Sequence, residues 1–175
     1  MLINLFRTSR MNPWHLLSLM LHLVALSLWL GGIVFFLIVF APSVNELRSG
    51  VGIRVLNQGR IYFEALSWPA IAVLLITGIA NLMLRYQITA GSLSRLYVIV
   101  LSVKLFLFLA MLVHHCLQAF KYGPRIDSLT AQAPEEIGAW PEPLRSIWQR
   151  WFLLLKLNAG LAPIVTLLGL ALIES

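Results

Sequence analysis

The chain has 175 residues, 59% hydrophobic and only 11% charged, with a mean hydropathy of +0.85. A soluble domain carries about a quarter charged residues, so this chain lacks the charge for a fully water-facing surface and a bilayer must solvate part of it. Its length leaves no room beyond one bundle. The net charge of +6 does not mark a nucleic-acid binder, because all but two of the Lys and Arg residues lie outside the apolar runs, mostly near their ends, and form no stripe interleaved with aromatics.

The segment from Met1 to Arg10 is basic, and the charge-free stretch behind it runs from Met11 to Asn45. A signal peptide has an apolar region of roughly 7–15 residues, so this stretch is predicted to be retained as the first helix. A spanning helix needs about 20 apolar residues, and four runs qualify: Trp14–Ala41, Ala65–Leu84, Leu96–Phe120 and Trp151–Ile173. The runs are continuous rather than alternating, which excludes a barrel. The prediction is an all-α, four-helix transmembrane bundle forming a single domain. Between the first two helices, Ser43–Phe63 carries Arg48, Arg54 and Arg60 with Gly50, Gly52 and Gly59, and is expected to lie at the interface. The short 86–95 link makes helices two and three antiparallel neighbours. Lys121–Arg150 is read as the longest loop, with Pro124, Pro134, Pro141 and Pro143. Its end, Leu144, Ile147, Trp148 and Trp151, has helical spacing and an aromatic anchor for the headgroup level.

Four spans bring both ends of the chain to one side. That side carries Arg7, Arg10, Arg85 and Arg95, and the other carries Arg48, Arg54, Arg60, Lys121, Arg125, Arg145 and Arg150. The excess on the second side favours long connections in the cytoplasm. The single cysteine, Cys116, rules out an intramolecular disulfide.

An ionisable residue inside a transmembrane segment is costly and marks a functional site by default. The candidates are His15, His22, Lys104, His114, His115 and Lys156, with Asn81 and Asn158 as uncharged company. At about 1.5 Å per residue, His22 and Lys104 share a level towards the terminal side, in helices of the same direction. By the same rise His115 lies roughly 10 Å past the centre of the third helix, too far to share one metal with His22. An inner layer of His115, Lys156 and Glu64 is therefore expected apart from an outer one of His22, Lys104 and Asn81. Each residue also has a plainer reading. His22 could serve as a helix–helix hydrogen bond, and a lysine could snorkel to the surface. His114, His115 and Cys116 with Met111 could form a soft cuprous site or simply pack.

The stretch His22-Leu-Val-Ala-Leu-Ser-Leu-Trp29-Leu-Gly-Gly32 resembles the first helix of the copper-resistance protein D-like membrane family. That superfamily includes haem-containing protoporphyrinogen oxidases of the HemJ type. Arg60, Pro69-Ala70 and Gly78 resemble its second helix, Lys104-Leu105 and His115 its third, and Asn158 the asparagine that opens its last helix. The resemblance implies haem b held by His22 and Lys104, and a role in electron transfer or in oxidation of a membrane-associated substrate. Arg60 and Arg85 are then candidates for the propionates. Trp29-Leu-Gly-Gly32 and the Gly-rich last helix look closer to the copper-resistance side, which implies copper transport or tolerance instead. A non-catalytic subunit or assembly factor, whose buried polar residues hold helices together, is the third alternative. The expected setting is a bacterial cytoplasmic membrane, with a redox partner or a second copy as partner.

Overall fold

The computed structural model describes residues 13–47, 49–133 and 140–174; Arg7, Arg10, Arg48 and Pro134 lie outside the described residues. Among the described residues, four helices are long and apolar enough to cross a membrane: α1 (Pro13–Val44), α2 (Ser49–Ile88), α3 (Arg95–Gln132) and α4 (Glu142–Glu174). The fold is an all-α transmembrane bundle. Its helices outrun the apolar runs in the sequence, chiefly on the side where α1 meets α2 and α3 meets α4, called here the loop side. At about 1.5 Å per residue α2 alone is some 60 Å long, twice the roughly 30 Å of a hydrocarbon core. Most of the segment expected as an interfacial connection, and the first part of the expected long loop, are therefore helix. They carry Arg54, Arg60, Lys121 and Arg125, charges that belong beyond the hydrocarbon.

Two of these helices widen just before a proline. In α1 the segment Phe36–Phe40 is a π-turn, closed by a hydrogen bond from the Ala41 N–H to the Phe36 carbonyl. In α3 the segment Leu117–Tyr122 repeats it, with the Gly123 N–H donating to Gln118. Pro42 and Pro124 follow. Proline lacks the N–H that an α-turn needs and its ring crowds the carbonyl four residues back, and a widened turn makes room for it. Ser43 Oγ donates to the Val39 carbonyl at 2.8 Å, a further local repair.

The connection from α2 to α3 is a Schellman-type stop. Gly91 N–H donates to Tyr86 O at 2.9 Å and Ala90 N–H to Gln87 O at 3.2 Å, with Ala90 at φ 51°. Ser94 Oγ then caps α3 by accepting from the Tyr97 N–H at 3.1 Å.

α1 packs on α2 and α3 packs on α4, which gives two antiparallel hairpins; α4 also meets α1, and the end of α3 meets α2. Aromatic rings join the hairpins. The Phe36 ring lies 5.6 Å from Phe63, 5.2 Å from Trp151 and 6.1 Å from Phe152, and Trp29 meets Phe108 at 5.9 Å. On the loop side of this layer Ile53, Leu56, Ile126, Leu144 and Trp148 are all buried.

Candidate functional site

The polar residues occupy three levels, set by their positions along the helices. On the terminal side His22 of α1 shares a hydrogen bond with Thr77 of α2, Nδ1 to Oγ1, at 2.8 Å. Thr77 Oγ1 also donates to the Val73 carbonyl at 2.6 Å, so the hydroxyl is set to accept from a His22 Nδ1–H, the tautomer in which Nε2 carries no proton. Lys104 of α3 reaches across to α4, where a Cβ on Gly169 would stand 3.1 Å from its Nζ. It is also near enough to His22 for the two charges to interact. Asn81 Oδ1 and Arg85 Nε, one and two turns further along α2, are buried without a hydrogen bond. Arg85 stacks its guanidinium on the Tyr97 ring of α3 at 5.5 Å.

At mid-depth stands His115. Trp29, its neighbour on α1, lies seven residues beyond His22, about 10 Å along the helix, so the two histidines occupy separate levels. His115 is 1% exposed, and neither of its ring nitrogens has a hydrogen-bond partner. Its surroundings are aromatic: Trp68 at 4.9 Å, Phe63 at 6.1 Å and Trp29 at 6.2 Å between ring centroids. The Trp29 indole N–H is unpartnered as well. Met111, one turn before His115, is also 1% exposed. Burying a polar group without a partner costs about 1–3 kcal/mol, and His115 does so with two atoms.

His114 turns instead towards α4. Its Nδ1 hydrogen-bonds Asn158 Oδ1 at 2.9 Å, and Asn158 Nδ2 donates to the Met111 carbonyl at 3.2 Å. Asn158 thus lies midway along α4 rather than opening it, and ties that helix to α3. Lys156, expected in the inner layer with His115, is exposed; the geometry removes it from that layer and suits a snorkelling side chain.

The loop-side level is a buried ion network. Arg60 is 1% exposed. Its Nη1 donates to both Glu64 carboxylate oxygens at 2.8 Å, Nη2 to Asp127 Oδ1 at 2.6 Å and Nε to Asn57 Oδ1 at 3.0 Å. Asn57 Nδ2 completes the ring of bonds to Asp127 at 2.9 Å. Gly123 is required beside it, because a Cβ there would come 2.8 Å from Arg60 Nη1. The Trp151 indole faces Glu64 without closing a hydrogen bond. Glu64 belongs to this network and not with His115, and every nitrogen of the Arg60 guanidinium is committed to protein acceptors.

Three residues escaped the sequence reasoning. Gln118 is fully buried and donates to the Trp151 carbonyl at 3.1 Å; a lone amide inside an apolar run was the available signal. Asp127 reaches Arg60 from 67 positions away, and nothing local announces that. Trp68 is the ring nearest His115, one turn past Glu64, and looks in the sequence like any apolar residue. Among the described residues, no three His, Cys, Asp or Glu side chains gather as a metal cage, so any metal held here meets a sparse, mostly neutral set of donors.

Neither the curated proteins nor the solved structures contain a match to this chain. Residues 60–173, from the Arg60 network through Trp68, Lys104, His115 and Asn158 to the end of α4, match the family described as Copper resistance protein D, CopD, and the chain is a multi-pass membrane protein of that family.

Proposed function

We propose that the protein handles copper within the bilayer, in transport or tolerance, in a bacterial cytoplasmic membrane. The observation that carries this reading is His115, wholly buried in a CopD-family bundle with both ring nitrogens unbonded. A buried polar group left unsatisfied calls for a reason, and a neutral imidazole is a ready metal ligand. Met111 and Cys116, the second half-buried, are the soft donors nearest to it in sequence. His22 and Lys104 form a second station about 10 Å away, an arrangement that suits stepwise passage of a cation. Purification in detergent with metal analysis, together with copper sensitivity of a deletion strain, tests the proposal. Copper should co-purify, and the deletion should change tolerance in a way that His115→Ala fails to restore. A copper-free protein and an unaltered strain overturn it.

A second reading is favoured by one observation: His22 and Lys104 stand at the same level of the bundle, within electrostatic reach of each other. His22 and Lys104 would be the residues to hold haem b between α1 and α3, a ligating lysine being deprotonated, and the haem would supply redox chemistry towards a membrane substrate or partner. Arg60, its guanidinium already committed, is poorly placed for a propionate, whereas Arg85 keeps an unbonded Nε. After haem-replete expression the visible spectrum should show a Soret band that His22→Ala alters. A colourless protein sinks this reading and leaves the copper one standing.

A further inference from the structure

We propose that the outer face of α4 holds the headgroup of an anionic phospholipid at Lys156, with Gln149 and Arg145 on the same stripe; this is independent of the copper reading. Lys156 is an exposed lysine on a transmembrane helix, and its neighbours fix its depth. Gln118 donates to the Trp151 carbonyl, so Trp151 is level with Gln118, one turn inside Lys121. Lys156 stands about 8 Å deeper again by helical rise. An ammonium at that depth, facing lipid, is costly unless it reaches a counter-charge. α4 enters from the loop side, and helix side chains lean towards the N-terminus, so the Lys156 stem points at the loop-side headgroups. The four-carbon stem covers part of the depth, and a headgroup drawn inward by local thinning covers the rest.

The stripe above Lys156 is chemically matched to a phosphate. At about 100° per residue, Arg145, Gln149 and Lys156 fall within about 40° of one another, and all three are exposed. Arg145 is loosely paired with Glu142 at 3.9 Å, and among the described residues Gln149 and Lys156 have no side-chain partner. Their N–H groups suit the oxygens of a phosphate diester. Below Lys156 the surface turns apolar: Leu153 and Leu157 are exposed, and a Cβ on Gly160 would meet nothing within 4 Å, which leaves room for an acyl chain against the helix. A second copy of the chain fits this face less well, because it would have to bring a carboxylate to the depth of Lys156. Of the seven Asp and Glu residues, Glu64 lies deepest and is clamped by Arg60; the others fall near helix ends or in connections. A zwitterionic headgroup carries an amine that competes with Lys156 for its phosphate. A net-negative headgroup has none, an advantage of about fivefold in affinity for each Lys or Arg near it.

The test titrates the full chain in detergent micelles with phosphatidylglycerol or phosphatidylcholine and counts bound lipid by native mass spectrometry. The parent should retain one phosphatidylglycerol more tightly than phosphatidylcholine, with a preference that shrinks as salt is raised. Lys156→Leu should weaken phosphatidylglycerol binding about fivefold and Arg145→Gln by a similar factor, whereas Lys156→Arg should keep it. Arg95→Gln, an exposed cation on the opposite side of the membrane, should leave it unchanged. Variants are compared when far-UV dichroism matches the parent, and the comparison of the two lipids on the parent needs no variant. Equal affinity for both lipids overturns the proposal. So does a loss in Arg95→Gln as large as in Lys156→Leu, which would mark a general surface charge effect. A parent dimer that Lys156→Leu converts to a monomer on gel filtration also overturns it, by giving the face to a second copy.

Discussion

The two ends of this bundle are built on different terms. On the loop side, helices from both hairpins bury Ile53, Leu56, Ile126, Leu144 and Trp148 and enclose the Arg60 network. On the terminal side, α3 from Leu96 to Ala110 buries Tyr97 alone, and α2 beyond Thr77 buries no side chain fully. The difference follows from the solvent. The helices outrun the hydrocarbon on the loop side, where water drives apolar side chains together at about 25 cal/mol per Å². Within the bilayer, lipid tails are as apolar as leucine, and helix association rests on packing and a few hydrogen bonds. Stability is therefore concentrated in the loop-side half, leaving the terminal half free to hold polar groups that pack loosely. His115 stands at the boundary between them.

The largest expected effect strikes the loop-side network. Arg60→Ala leaves Glu64 and Asp127 without their shared cation, and breaking a buried pair by removing one partner costs about 3–5 kcal/mol. Asp127 is half exposed and water will screen part of that loss, so about 3 kcal/mol is expected, read as a lowered unfolding midpoint in detergent. Arg60→Lys should recover little, because one ammonium cannot span three acceptors as a planar fork does. A neutral Arg60→Ala would erase the contrast between the two halves.

His115→Leu should act in the opposite direction. Replacing an unsatisfied imidazole with an apolar side chain removes a desolvation cost, so the metal-free protein should gain about 1–2 kcal/mol while copper tolerance is lost. A destabilised variant would mean that His115 is a structural residue. Smaller again is Asn158→Leu, which leaves the His114 nitrogen and the Met111 carbonyl without their partner. A loss of about 1 kcal/mol is expected, and copper binding should persist if His115 alone anchors it.

The spans were legible because burial in lipid demands unbroken apolar runs, and Trp14, Ala65, Leu96 and Trp151 each begin one. The helices beyond the membrane were not. Ser49–Phe63 is rich in Gly and Arg, which in the sequence resembles an interfacial connection; in the structure Gly59 faces the Phe40 ring and Arg60 is buried. Pro42 stands at the end of the first apolar run and Pro124 in the segment expected as the long loop, yet a π-turn carries the helix through each. The levels of His22, Lys104 and His115 could be counted from helical rise alone. What surrounds them could not, since Trp68 and Phe63 meet His115 across 40 or more positions, and a side chain's exposure, as with Lys156, depends on helix rotation that counting does not give.

The smallest effect is the sharpest probe of the terminal half. His22 hydrogen-bonds Thr77 there, and such bonds between membrane helices average about 0.6 kcal/mol. His22→Leu should therefore change the unfolding midpoint barely at all, as should Thr77→Val. If His22 were a structural tie, the two substitutions would each cost the full bond and the double variant no more than either one. If it is a ligand, Thr77→Val should instead weaken bound metal or haem, because the hydroxyl orients the ring and keeps Nε2 unprotonated. Metal content or the visible spectrum of Thr77→Val, measured beside its unfolding curve, separates these outcomes. A cost above about 2 kcal/mol for His22→Leu, well beyond the range measured for such bonds, would show that the terminal half is packed as firmly as the loop side.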